Sequence, residues 1–194
     1  MSEDSSGSSR VSARYDAFIS YSHRADKDMA RSVEKTLWSF GCRWYQMRRI
    51  RTFRDDSNLA AVPDLWPGIK AALEQSSSLV LLASPQSAQS EWVELEVREC
   101  LAVQGANHLF IVQTSGVLPW TDALPLDHIL QHNDLALSSH LLGILTEAAI
   151  EPLVVDVRPF RAIPERQRMK DPEFVSGVAA IAAKILGVDK EALW

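Results

Sequence analysis

The run SEWVELEVREC at residues 90–100 contains the side chains whose types and spacing are best suited to chemistry. One tryptophan, Trp92, has a glutamate one position before it and glutamates two, four and seven positions after it: Glu91, Glu94, Glu96 and Glu99. A carboxylate beside a large aromatic ring can stabilise positive charge that develops in an enclosed site. Four carboxylates on three helical turns are also typical of a solvated helix face. The first question is therefore which of the four glutamates, if any, does chemistry.

Helical periodicity reduces this choice to two glutamates. Four residues form the apolar side of the predicted helix: Val93, Val97, Cys100 and Leu101. Glu94 and Glu96 lie on opposite flanks of that side, about equally far from its centre. Only Glu96 shares the flank of Trp92, at the i, i+4 spacing of neighbours on a helix. Composition alone favours the interpretation that Glu96 is a boundary carboxylate and Trp92 a packing residue.

The composition indicates one globular domain. The chain has 194 residues, of which 46% are hydrophobic and 23% charged, and its formal net charge is -5. A length and composition of this kind allow a substantial core. The negative charge argues against nucleic acid as a partner, because binding to phosphates requires clustered cations. The basic residues cluster once, at residues 48–54, where a local anion site is conceivable.

The cysteines and the hydropathy pattern predict a cytoplasmic protein. The two cysteines, Cys42 and Cys100, belong to no CxxC pair or Cys/His group, so we expect neither a metal site nor a disulfide framework. Two thiols in a cysteine-poor chain suit a reducing compartment. No apolar run has the length of a signal peptide or of a membrane span, so we expect no membrane contact.

The elements that must position the glutamates alternate between strand and helix. Residues 1–14 are polar and Ser/Gly-rich, which predicts a flexible leader. Five runs predict strands: residues 15–22, 50–53, 79–84, 108–114 and 153–158. Helices are predicted over residues 26–40, from Trp66, from Glu91 with Ser90 as N-cap, and from Asp171 to Gly187. Residues 118–150 contain helical pieces whose arrangement the pattern does not determine.

This alternation predicts an α/β fold with a flavodoxin-like, five-stranded parallel sheet and helices on both faces. In such sheets, sites form at the carboxyl ends of the strands. Three loops should meet at that edge: residues 20–23, 54–59 and 84–87. Asp26 and Asp28 are interpreted as ordinary acids of a helix N-terminus.

Three separated segments resemble the Toll/interleukin-1 receptor (TIR) domain family. Residues 16–26, DAFISYSHRAD, are similar to its first motif, and residues 53–76 to its second strand, mobile "BB" loop and following helix. Residues 79–97 resemble its SP-x-S … S-x-W-x-x-x-E run. The domain would span residues 15–187, followed by a tail at 188–194. Two features depart from the family: Ala61-Val62-Pro63 replaces the usual loop glycine, and Val93 replaces the usual cysteine.

The resemblance implies an activity and assigns residues to it. NAD-cleaving members carry an essential glutamate four residues after this tryptophan, which corresponds to Glu96. Such members release nicotinamide and ADP-ribose, or a cyclic isomer, and use NAD+ as substrate without a further cofactor. Glu91, by contrast, suits a helix start, while Glu94 and Glu99 are predicted to lie on solvated surface. The residues that the resemblance assigns to substrate binding are Tyr21, Ser22, His23, Arg54, Asp55, Leu65, Trp66 and Trp92.

The resemblance also implies partners. Family members complete their site when TIR domains associate with one another through the BB loop. The basic segment before the second strand is similar to that of bacterial-type members, which often begin larger immune or antiphage signalling proteins, so we expect further domains in a longer chain. Two alternatives remain open: a non-catalytic adaptor that acts only by homotypic TIR–TIR binding, and a transferase of the nucleotide-sugar type that places a glutamate against a ribose.

Overall fold

The computed structural model describes residues 13–40, 49–54, 66–131 and 134–194. Within these ranges, no helix is both long and apolar enough to span a membrane. Three sequence-based assignments fall outside them wholly or in large part: residues 1–12 of the polar leader predicted at residues 1–14, the binding residues Asp55 and Leu65, and most of the basic segment before the second strand.

A five-stranded parallel sheet forms the centre of the domain, in the order β2-β1-β3-β4-β5. The predicted flavodoxin-like fold is confirmed, because this is the strand order of that fold. The strands are β1 Ala17–Ser20, β2 Thr52–Arg54, β3 Leu79–Ala83, β4 Leu109–Gln113 and β5 Leu153–Asp156. The second strand starts two residues later than the sequence predicts, since pairing with β1 begins at Ala17 and Thr52.

The helices alternate with the strands and cover both faces of the sheet. They are α1 Lys27–Phe40, α2 Trp66–Glu74, α3 Pro85–Ala88, α4 Glu91–Val103, α5 Pro119–Asp122, α6 Leu126–Ile129, α7 Ser139–Glu147, α8 Glu165–Arg168 and α9 Pro172–Leu186. Short 3-10 turns lie at Ala106–His108, Arg158–Phe160 and Lys190–Leu193. The arrangement of residues 118–150, which periodicity left open, comprises α5, α6 and α7.

Capping residues explain where the helices that matter for the site begin and end. The Ser90 side chain accepts a hydrogen bond from the backbone of Val93 and starts α4, as predicted. Asp171 caps α9 and Gly187 ends it at a φ of 66°, a left-handed conformation that glycine adopts without strain. Beyond Gly187, Leu193 is buried and the ring of Trp194 lies 5.7 Å from that of Phe40.

Each face of the sheet has its own apolar core. One core packs α1 and α9 against alternate strand residues, and the other packs α2, α4 and α7 against the residues between them. Successive strand residues point to opposite faces. In β1, Ile19 therefore joins the first core and Phe18 the second. The same alternation decides on which face each functional side chain lies.

The Cys100 thiol is predicted to be inert in the folded protein. Cys100 lies on the buried side of α4, and burial raises the pKa of its thiol to about 12. Because the thiolate is the reactive form, we expect native Cys100 to react with iodoacetamide at least about 100-fold more slowly than in urea. Mass spectrometry of the peptide that contains Cys100 measures this rate separately from that of Cys42. Equal rates in native and unfolded protein would contradict the buried placement.

Candidate functional site

The Glu96 side chain lies at the carboxyl end of β1, although it belongs to α4. Its carboxylate Oε2 accepts a hydrogen bond of 2.5 Å from Oγ of Ser20, the last residue of β1. Glu96 is 8% exposed and Ser20 1% exposed. A charged carboxylate is rarely buried without partners. Helix α4 therefore brings this carboxyl group to the edge of the sheet where sites form in this fold.

An aromatic pair lies beside the helix position of Glu96. Trp92 precedes Glu96 by one helical turn, and its ring centroid is 6.0 Å from that of Trp66, at an angle of 44°. Trp66 is the first residue of α2, so the pair joins the starts of two neighbouring helices. Both rings are only partly buried. They can therefore line one side of a site that remains open to a ligand.

Polar contacts hold α2 and α4 in this register. The Gln104 amide donates to the backbone carbonyls of Leu73 and Ser76, at 2.9 Å and 2.5 Å, where α2 ends. Nearer the tryptophans, Lys70 of α2 forms an ion pair of 2.9 Å with Glu99 of α4. Carbonyls at a helix end need such external donors. These contacts join α2 to α4 at the ends of both helices and near their middle.

The structure separates Glu94 from Glu96. The Glu94 carboxylate lies 2.7 Å from Nδ1 of His140, at the start of α7, and this hydrogen bond lowers the pKa of Glu94. Glu94 was predicted to be a solvated surface residue; it is instead a partly buried member of a helix–helix pair. Glu91, as predicted, lies in the exposed first turn of α4.

A second polar group occupies the opposite face of the sheet at the same strand end. The Tyr21 and His23 rings stack with centroids 4.6 Å apart and only 4° between their planes. Arg54, which ends β2, donates 3.4 Å to the Tyr21 hydroxyl and 2.9 Å to the Glu34 carboxylate of α1. The Arg54 and Glu34 side chains are 8% and 9% exposed. The Arg54 charge is therefore already balanced by a buried carboxylate.

The predicted site residues therefore form two groups, which lie on opposite faces of the sheet at the end of β1. Trp66 packs against the α2, α4 core and contacts Trp92 of α4, the helix that carries Glu96, whereas Tyr21 belongs to the α1, α9 core. Ser22 lies two residues beyond the end of β1 and is buried. Its backbone carbonyl accepts hydrogen bonds from the N–H groups of Ala25 and Asp26, in the turn that leads into α1. Asp55 and Leu65 lie outside the described residues.

Asp26 lies at the edge of the sheet where the strands end, and the sequence did not predict its contacts there. It precedes α1 directly, but its side chain is fully buried and accepts hydrogen bonds from Ser84 (2.6 Å) and Thr114 (2.7 Å), which follow β3 and β4. The Arg161 guanidinium lies 3.3 Å from the same carboxylate. The interpretation of Asp26 as an ordinary helix-terminal acid is thus incomplete. The residue also connects the loop before α1 to the loops that follow β3, β4 and β5. The small polar residues at the ends of two apolar strands were the available signal.

The described part of the chain contains no group of three His, Cys, Asp or Glu side chains that could hold a metal ion. The described residues of the site supply carboxyl, aromatic and hydroxyl groups. Together they place one carboxyl group, two aromatic rings and hydrogen-bonding groups near the end of a strand. This set suits a ligand that develops positive charge next to a flat ring.

Comparison with known proteins gives two matches. The family model described as "TIR domain" matches residues 17–139. A relative from Actinoplanes sp., named NAD(+) hydrolase ApTIR, is 40% identical over 180 residues, which cover 93% of this chain. The same alignment covers 24% of the relative, so this chain spans about a quarter of that protein's length.

Proposed function

The chain belongs to the TIR domain family, and on that premise we propose that it is an NAD+ glycohydrolase in which Glu96 is the catalytic residue. The products are nicotinamide and ADP-ribose, or a cyclic ADP-ribose isomer. The likeness to a protein named NAD(+) hydrolase supports this activity. The observation that carries the proposal is the Glu96 carboxylate, held by Ser20 at the strand end and one turn from the Trp66–Trp92 pair.

The reaction suits a single carboxylate. The bond between ribose C1′ and the nicotinamide nitrogen breaks, and its electron pair remains on that nitrogen, which neutralises the pyridinium. No general acid is needed, because the leaving group departs uncharged. The ribose acquires oxocarbenium character, as in glycoside hydrolysis. The negative charge of Glu96 stabilises it until water adds to C1′ and releases a proton, or until an adenine nitrogen adds instead to close a ring.

The aromatic pair has a separate task. We assign Trp92 and Trp66 to the walls of the nicotinamide subsite, where they exclude water from the reacting bond. Exclusion of water strengthens the interaction between Glu96 and the developing charge, because the local dielectric constant falls. The partial exposure of both rings supports this assignment.

We assign Tyr21, Ser22 and His23 to contacts with the rest of the dinucleotide. Ser20 and Tyr21 are adjacent in the chain and point to opposite faces of the sheet, so an elongated substrate laid over this strand end would meet both polar groups. Arg54, paired with Glu34, would act mainly by holding this end in place. The assignments of Asp55 and Leu65 rest on the family resemblance alone.

The site is proposed to reach full activity only in an assembly. We propose that TIR domains of separate chains associate through the BB loop and that further domains of a larger protein control this step. The 24% coverage of the Actinoplanes relative supports such an architecture. The corresponding role is cytoplasmic immune or antiphage signalling in bacteria, with NAD+ as the consumed substrate.

The proposal predicts that catalysis depends on the density of the protein. Wild-type protein, tethered to beads at increasing surface density, is incubated with NAD+, and released nicotinamide is measured by chromatography. We expect the rate per molecule to rise at least about 10-fold from the sparsest to the densest beads, because assembly raises the effective local concentration. Absence of nicotinamide at every density would contradict the enzymatic proposal and favour the non-catalytic adaptor.

A further inference from the structure

We infer that Ser20 is a positioning residue for catalysis: its hydroxyl fixes the carboxylate of Glu96 in the orientation that faces the substrate. This inference rests on the proposed function. The distance between Ser20 Oγ and Glu96 Oε2 is 2.5 Å, at the short end for a hydroxyl that donates to a charged carboxylate. Such charge-assisted bonds are about twice as strong as neutral ones.

Ser20 is held more rigidly than the residue it orients. It ends β1, where it stands opposite Leu81 of β3 in the parallel register, and it is 1% exposed. Its side chain has a single heavy-atom torsion. Glu96, by contrast, has three side-chain torsions and lies on a helix at the margin of the core. A rigid donor on the strand therefore restricts a flexible acceptor on the helix.

The burial of Ser20 distinguishes positioning from direct contact. A residue so deeply enclosed is not available to the substrate, so its effect must pass through Glu96. Displacement of a reacting group by about 1 Å can cost about 100-fold in rate. Loss of a hydrogen bond that orients a metal ligand lowers metal affinity or activity by about 10- to 100-fold. We expect a loss of activity of similar size here. Substrate affinity, which depends on other contacts, should change little.

The test is the Ser20→Ala variant, tethered at high density beside the wild type. We expect kcat to fall by about 10- to 100-fold, with KM within about two-fold of the wild-type value, because only a transition-state interaction is weakened. In a Glu96→Gln background, Ser20→Ala should change the residual rate by less than about two-fold, since the charge that Ser20 orients is already absent. A full additional loss in that background would overturn the inference.

Ser76→Ala is the matched control. Ser76 is also a buried serine whose hydroxyl makes a hydrogen bond, to the carbonyl of Ala72 (2.7 Å), but it follows the end of α2 far from the Glu96 strand end. Both variants lose the same atom and one hydrogen bond, so the melting temperature of each should fall. Only Ser20→Ala should lower kcat. An equal loss of kcat in both variants would mean that Ser20 has only a structural role and would overturn the inference.

A second readout does not depend on activity. In protein labelled with carboxyl-¹³C glutamate, the Glu96 resonance is identified by its absence from Glu96→Gln. We expect Ser20→Ala to shift this resonance and Ser76→Ala to leave it in place. An unmoved resonance in Ser20→Ala overturns the positioning role. If the wild type releases no nicotinamide, the proposed function fails, while the resonance still decides whether Ser20 orients Glu96.

Discussion

Replacement of Glu96 by glutamine is expected to lower the rate of nicotinamide release by about 1000-fold. Glutamine keeps the volume of the side chain and an oxygen that can accept from Ser20, but it removes the negative charge. The ribose then develops positive charge without an opposing carboxylate in a partly enclosed site, where electrostatic stabilisation is strongest. Single-turnover rates from protein tethered at one fixed density measure the effect on the chemical step.

The matched control for this experiment is Glu94→Gln. Glu94 lies on the same helix, two residues before Glu96, and the substitution removes the same charge. Because the Glu94 carboxylate pairs with His140 rather than Ser20, we expect nicotinamide release within about three-fold of the wild-type rate, since a partly exposed ion pair contributes little. A loss as large as that of Glu96→Gln would mean that net charge on α4, and not one oriented carboxylate, supports the reaction.

Arg168→Ala is expected to lower the free energy of unfolding by about 3 kcal/mol or more. Arg168 is 2% exposed, and its guanidinium donates to the carbonyls of Phe160 (3.1 Å) and Ile163 (2.8 Å) and to the Ser32 hydroxyl (2.7 Å). It also pairs with Asp28 of α1 at 3.1 Å. Alanine would leave several of these acceptors without a donor in a place that water reaches poorly. Urea unfolding measures the change.

Arg166→Ala controls for the loss of a positive charge from the same short helix. Arg166 is exposed, so its replacement should change the free energy of unfolding by less than about 0.5 kcal/mol. A change of under about 1 kcal/mol for Arg168→Ala would show that its contacts to α1 and to the loop after β5 do not support the fold.

Local sequence patterns predicted the elements of this fold well, because each pattern reports a local cause. The apolar runs at β3 and β4 are buried on both sides. Ser90 begins α4 and Gly187 ends α9, each through hydrogen bonds within a few residues. Hydrophobic periodicity and capping therefore located the sheet, α4 and α9. The short helices α5 and α6 have a single turn each, which is too little for periodicity to show.

The candidate site was harder to predict from the sequence than the fold, because its polar contacts join residues that are distant in sequence. The helical wheel left Glu94 and Glu96 equivalent, and the choice between them came from the family resemblance. In the structure, what separates them is Ser20, 76 positions away from Glu96, and His140, 46 positions away from Glu94. Asp26 shows the same limit, since its partners Ser84 and Thr114 reach it through the topology of the sheet. No periodicity encodes such pairings.

The most direct test of the central claim is a ¹H NMR time course of NAD+ with densely tethered wild-type protein and, in parallel, with Glu96→Gln. The account predicts that wild type converts the nicotinamide resonances of NAD+ into those of free nicotinamide, with an equal amount of linear or cyclic ADP-ribose. The Glu96→Gln sample should retain NAD+ over the same period. Conversion at equal rates in both samples, or in neither, would contradict the claim that Glu96 cleaves NAD+.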